Sequence, residues 1–210
     1  MPRYLERPEA RSDEANHTTA LPYGMTTAGI LAVVNDLYAY LHALNRASIE
    51  HGYGRLEDLM QPAGFSGLLS QLVVYSLARQ FHSANPGLAV NEYPNGRPDL
   101  VPRAMYPSDS VLNGAEGIEV KVSRSSSSWQ GHNPEAGWIL IVQVAVDLAT
   151  QPVYDRSPTT VERVFVAQLT ETDWSFAGRG AGSRRTPTAS INLAGRAKLA
   201  QGLVYAHRPL

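Results

Sequence analysis

Residues 116–122 (Glu-Gly-Ile-Glu-Val-Lys-Val) and 138–147 (Trp-Ile-Leu-Ile-Val-Gln-Val-Ala-Val-Asp) decide how this chain folds. In the first stretch Ile118, Val120 and Val122 alternate with Glu119 and Lys121, the period of a strand with one buried face. Glu119 and Lys121 therefore project to one side. The second stretch is apolar nearly throughout, which predicts a central strand covered on both faces.

Outward from this pair, further strands are expected. Leu88–Tyr93 alternates, Pro94-Asn95-Gly96 forms a turn, and Asp99–Pro102 begins a second short strand. Glu162–Leu169 is the next after Trp138–Asp147, and a Gly-rich stretch from Gly178 leads into a last one near Thr188–Asn192. A short helix is expected over Leu193–Leu203. Upstream, Ile30, Val33, Val34, Leu37, Leu41 and Leu44 recur at helical spacing behind a Thr26 or Thr27 N-cap, and the helix stops near His51-Gly52. Leu68, Leu69, Leu72, Val73, Leu77 and Phe81 mark a second helix over Ser66–His82. Helices followed by a mixed sheet predict an α/β (α+β) fold. The polar residues 1–25 read as a flexible tail, leaving 26–210 as a single domain.

Composition narrows the chemistry. The 210 residues include no cysteine, which removes disulfides, thiolate metal sites and cysteine catalysis. No stretch reaches the ~18 consecutive apolar residues of a membrane span, and the start of the chain lacks the apolar centre of a signal peptide. A cytoplasmic protein with no membrane partner is expected. The formal charge of −1 hides an asymmetry, because eight Arg/Lys oppose four acids after residue 150. Such a face suits phosphate.

Asp99 lies twenty residues before Glu119, a spacing over which a hairpin can return it to the Glu119–Lys121 pair. Two carboxylates can hold a hard divalent cation through oxygen, and Mg²⁺ suits a site that leaves it several waters. A lysine beside them can orient water or stabilise negative charge on a phosphate. The competing reading makes Glu119 and Lys121 a solvated pair on an edge strand and Asp99 part of an ordinary Pro-Asp turn. A Gly-x-Ser-x-Gly elbow is absent, which sets serine hydrolase chemistry aside. Nor do Gly178, Gly180 and Gly182 sit in the strand–helix context of a dinucleotide fingerprint.

Pro98-Asp99 followed by Glu119-Val120-Lys121 resembles the PD-(D/E)xK nuclease superfamily, and in particular type II restriction endonucleases. That resemblance implies a restriction-endonuclease-like mixed sheet of about five strands flanked by helices. It implies Mg²⁺, with Mn²⁺ as a substitute, held by Asp99 and Glu119, and Lys121 at the reacting phosphate. The family often adds a helical acidic residue, for which Glu50 is the candidate here, with Glu57 and Asp58 behind it. The partners implied are double-stranded DNA and a second copy of the chain in a homodimer. The family core runs helix, three strands, helix, strand, whereas residues 123–137 here read as a loop. In that loop Arg124, Gln130, His132 and Asn133 offer contacts to phosphates or base edges, and Trp129 offers a stacking surface. Arg179, Arg184 and Arg185 belong either to a plain flexible hairpin or, as the resemblance implies, to the phosphate and base contacts of the C-terminal half. A non-catalytic DNA- or partner-binding protein of the same fold, or a repair or junction nuclease, is the alternative.

Overall fold

The computed structural model describes residues 2–124, 129–131, 134–176 and 188–207. Two long helices come first, α1 (Thr27–Glu50) and α3 (Pro62–Gln80), with the single turn α2 (Leu56–Leu59) between them. Thr26 caps α1, its side chain accepting from the Gly29 N–H at 3.1 Å. Pro62 starts α3, where its missing N–H costs nothing.

The main sheet has six strands in the order β1 (Leu88–Val90), β2 (Leu100–Pro102), β3 (Ile118–Ser123), β5 (Gly137–Ala145), β6 (Thr160–Leu169) and β9 (Leu203–Ala206). β3 and β5 run parallel and the other neighbours antiparallel, so the sheet is mixed. Parallel neighbours need a long crossover, usually a helix. Here the described part of that crossover carries a two-residue strand instead, β4 (Gln130–Gly131). It joins β8 (Ala189–Ile191) and β7 (Trp174–Phe176) in a second, three-stranded sheet.

The alternation of β3 and β5 sorts their side chains into two cores. Ile118, Val120, Leu140, Val142 and Val144 pack with α1 and α3 through Ile30, Leu37, Leu69, Val73 and Leu77. Ile139 and Ile141 face the other way, onto Phe165, Trp174, Ile191 and Leu199 of the second layer. Covering both faces is what makes β5 apolar at successive positions. The last helix, α4 (Leu193–Gln201), stops at Gly202, two residues short of the expected end at Leu203, and β9 follows directly where no strand was expected. Val204 and Tyr205 are fully buried there against β6, a pairing no local signal announces.

The segment expected as a flexible tail is docked. Asn35 brackets Ala10, taking its N–H at 2.9 Å and donating to its carbonyl at 3.2 Å. Glu14 is buried and accepts from the Tyr205 hydroxyl at 3.2 Å, and Ala15 bridges Tyr205 through the backbone. Among the described residues no helix is long and apolar enough to cross a membrane.

Candidate functional site

β2 and β3 pair at a single position, Leu100 opposite Ile118. One step further along the same antiparallel register, Asp99 comes opposite Glu119, on the face away from α1 and α3. The strands part there. The ladder is completed by a side chain, Asp99 Oδ2 accepting the Val120 N–H at 2.8 Å. The β2/β3 ladder ends there, and the Val120 carbonyl takes the Ser70 hydroxyl of α3 at 3.4 Å. Gly117 makes the approach possible, since at φ +139° a Cβ would stand 2.1 Å from the Leu100 carbonyl oxygen and 2.4 Å from the Pro98 ring. Tyr23, from the docked N-terminal segment, fixes the same point by accepting the Gly117 N–H at 2.9 Å and donating to Glu116 at 2.7 Å.

Burial and the neighbouring Glu119 charge push the Asp99 carboxyl up to about 6, against the Val120 hydrogen bond and the Lys121 charge, which act the other way. Opposed like charges destabilise a strand pair. Lys121 Nζ lies 3.1 Å from Glu119 Oε1, with the two side chains only 16% and 17% exposed, so this is no solvated edge pair. It also lies 2.9 Å from Glu135 Oε2. Burial works against the ammonium charge, but Glu119 and Glu135 outweigh it, and the Lys121 pKa is raised above its usual value. Arg97 Nη1 donates to Glu135 Oε1 at 2.9 Å, and Trp174 Nε1 holds the Glu135 carbonyl at 2.8 Å.

Arg97, Glu119, Lys121 and Glu135 open into a cleft of about 390 Å³, walled by Ser66, Gly67 and Ser70 of α3 on one side and by Gln130 and Thr188 on the other, while Asp99 sits behind Glu119 and does not line it. Asp99, Glu119 and Lys121 are thus brought together, with Gln130 on the rim of the same space. Arg124 is exposed at the end of β3. His132, Asn133, Arg179, Arg184 and Arg185 lie outside the described residues.

The helical acids do not join the site. Glu50 pairs with Arg46 at 3.1 Å across one helical turn and its side chain is 64% exposed, as i,i+4 spacing on a solvated face dictates. Glu57 is buried elsewhere, accepting from Asn45 at 2.9 Å and Thr159 at 2.8 Å. Asp58 holds Arg55 and Arg156 at 2.8 and 2.7 Å. Trp129 is no stacking surface either. It is buried edge-on against Phe165, ring centroids 5.3 Å apart, in the core behind the site. Sequence reasoning missed Glu135 and Arg97. Arg97 had a signal, since it directly precedes Pro98-Asp99. Glu135 had none beyond being the last acid before β5.

Two carboxylates, one driven toward protonation partly by the charge of the other, are oxygen donors of the kind that could hold a hard divalent cation. Among the described residues no group of three or more His, Cys, Asp or Glu side chains is arranged to hold an ion. The chain's own share would therefore be two carboxylates, with water and substrate oxygens completing the shell, the arrangement Mg²⁺ prefers. Compared with known proteins, the chain matches no family model, no curated protein and no solved structure.

Proposed function

We propose that this chain is a Mg²⁺-dependent endonuclease that hydrolyses phosphodiester bonds of DNA, with Asp99 and Glu119 as metal ligands and Lys121 at the reacting phosphate. One observation carries the reading. The β2/β3 register sets two half-buried carboxylates against each other beside a mostly buried lysine, an arrangement that raises the free energy of the metal-free fold and that a cation would relieve. A structure has little reason to keep that repulsion unless the site uses it.

When bound, the ion would neutralise charge on the phosphate and lower the pKa of a coordinated water. Lys121 supplies positive charge. With its pKa raised by Glu119 and Glu135 it stays an ammonium at neutral pH, suited to stabilising the phosphorane-like charge and unsuited to taking a proton from water. Lys121 lines the cleft, which gives a backbone phosphate a path to its ammonium. Water attacks phosphorus and the P–O3′ bond breaks; the proton that the water gives up passes to solvent and the O3′ leaving oxygen takes one from solvent, giving a 5′ phosphate and a 3′ hydroxyl.

The finer reading is a homodimeric, cytoplasmic, sequence-specific type II restriction enzyme. Supporting it, Gln130 is exposed and lines the cleft from β4, in the connection that leaves β3 after Lys121. The test is incubation with mixed DNA substrates and Mg²⁺ or Mn²⁺, with an EDTA control. Discrete fragments from long DNA support the restriction reading, and a smear supports a repair-type or non-specific nuclease. Lys121→Ala should abolish cutting while leaving the fold intact, and cutting at the parent rate would end the assignment. Binding without cleavage under any divalent metal would leave a DNA-binding protein.

A further inference from the structure

Glu135 makes an unusual pair of contacts. Each oxygen of its carboxylate takes one cation, Arg97 Nη1 on Oε1 and Lys121 Nζ on Oε2, both at 2.9 Å. Two cations converging on adjacent oxygens of one anion is also how proteins clasp a phosphate. The backbones beneath both cations are fixed. Arg97 donates its N–H to the Leu112 carbonyl at 2.9 Å and accepts from the Gly114 N–H at 2.7 Å, while Lys121 sits in register with Ile141 in the sheet. Glu135 reaches in from the loop before β5, its backbone carbonyl held by Trp174 Nε1 and its carboxylate held by the two cations.

The position of this ion-pair chain is telling. Arg97, Glu119 and Glu135 line the cleft that contains Ser66, Ser70 and Gln130, and they also line a second cleft of about 390 Å³ bordered by Pro98, Asn113, Trp138 and Glu171. Lys121 lines only the first of these, and Arg97 and Glu135 stand at both. A polynucleotide strand that brings a phosphate to Lys121 and runs on into the second cleft would pass them.

We infer that Arg97 and Lys121 form a phosphate clasp and that the Glu135 carboxylate fills it in the free protein as an intramolecular stand-in, displaced when a nucleic-acid backbone enters. The ligand class, a phosphodiester, rests on the nuclease reading, while the clasp rests on the ion pairs. Being tethered, Glu135 competes at high effective concentration. Removing its charge should therefore strengthen binding of the anion.

The test is the affinity of a labelled DNA duplex across a salt series in EDTA, so that no cleavage intervenes. Glu135→Gln keeps the shape of the side chain and the Trp174 bond, which uses the backbone carbonyl. It should bind roughly tenfold more tightly, the worth of a charge-assisted contact, with a log–log salt slope steeper by about one unit. Glu135→Ala should behave alike. Adding Arg97→Ala to Glu135→Gln should return both affinity and slope toward the parent. Equal or weaker binding by both Glu135 variants, or a gain that survives the loss of Arg97, would overturn the inference. Parallel cleavage of DNA by the parent with Mg²⁺ separates the two readings. Cleavage without a Glu135→Gln gain loses the clasp alone, and the gain without cleavage loses the nuclease chemistry alone.

Discussion

Asp99→Asn should make the metal-free protein more stable, an unusual outcome for a change at a half-buried, hydrogen-bonded carboxylate. The argument is linkage. The carboxyl rises from its ordinary 3.8 to about 6 in the folded chain, through burial first and the Glu119 charge second. A group that holds its proton more tightly when folded destabilises the fold wherever it must ionise. The penalty is absent below about pH 4, grows through the interval from 3.8 to 6, and is complete above it. At about 1.4 kcal/mol per pH unit the ceiling is about 3 kcal/mol. Asparagine presents the neutral form permanently and can still accept the Val120 N–H through its carbonyl oxygen. At pH 7.5 in EDTA the variant should gain about 1–3 kcal/mol, read from urea midpoints at unchanged slope. At pH 4 the gain should vanish. Millimolar Mg²⁺ should raise the midpoint of the parent and leave that of Asp99→Asn unmoved, because ligand binding to the folded state alone adds stability. A variant less stable than the parent at pH 7.5, or a gain independent of pH, would refute the account of Asp99 and Glu119 as opposed charges.

Gly117→Ala should destabilise by about 3 kcal/mol or more, because its Cβ meets the Leu100 carbonyl and the Pro98 ring in a conformation L residues rarely adopt; thermal melting checks it, and a neutral result would mean the β2/β3 crossing is looser than described. Trp129→Ala should cost about 3–5 kcal/mol by emptying the core against Phe165, whereas a base-stacking role would leave stability unchanged and weaken DNA binding alone. Glu57→Ala strands the Asn45 and Thr159 partners in a buried place and should cost about 2–3 kcal/mol; Glu50→Ala, by comparison, should shift stability by less than about 0.5 kcal/mol and leave any DNA cleavage intact. Loss of cleavage in Glu50→Ala with an unaltered melting curve would return that residue to the site.

The local pattern by itself determined the long helices and the central strands. Helical spacing marked α1 and α3, the Ile118–Val122 alternation marked β3 and put Glu119 and Lys121 on one face, and the long apolar run marked β5 as central. These are short-range consequences of backbone period, so they are written in neighbouring letters. Tertiary structure decided what those letters meet. Only the Leu100–Ile118 register brings Asp99 opposite Glu119, and only closure of the crossover delivers Glu135 to Lys121 and Arg97. β9 was invisible because four residues after a helix become a strand only when β6 offers an edge. Residues 2–25 looked loose because their polar surface gives no sign that Asn35 and Tyr205 hold them. Trp129 carried the opposite error, a large aromatic in a serine-rich loop that reads as exposed until the second sheet closes over it. In each case the deciding free energy comes from surfaces far apart in the chain, and a sequence states its own surfaces without stating which of them will touch.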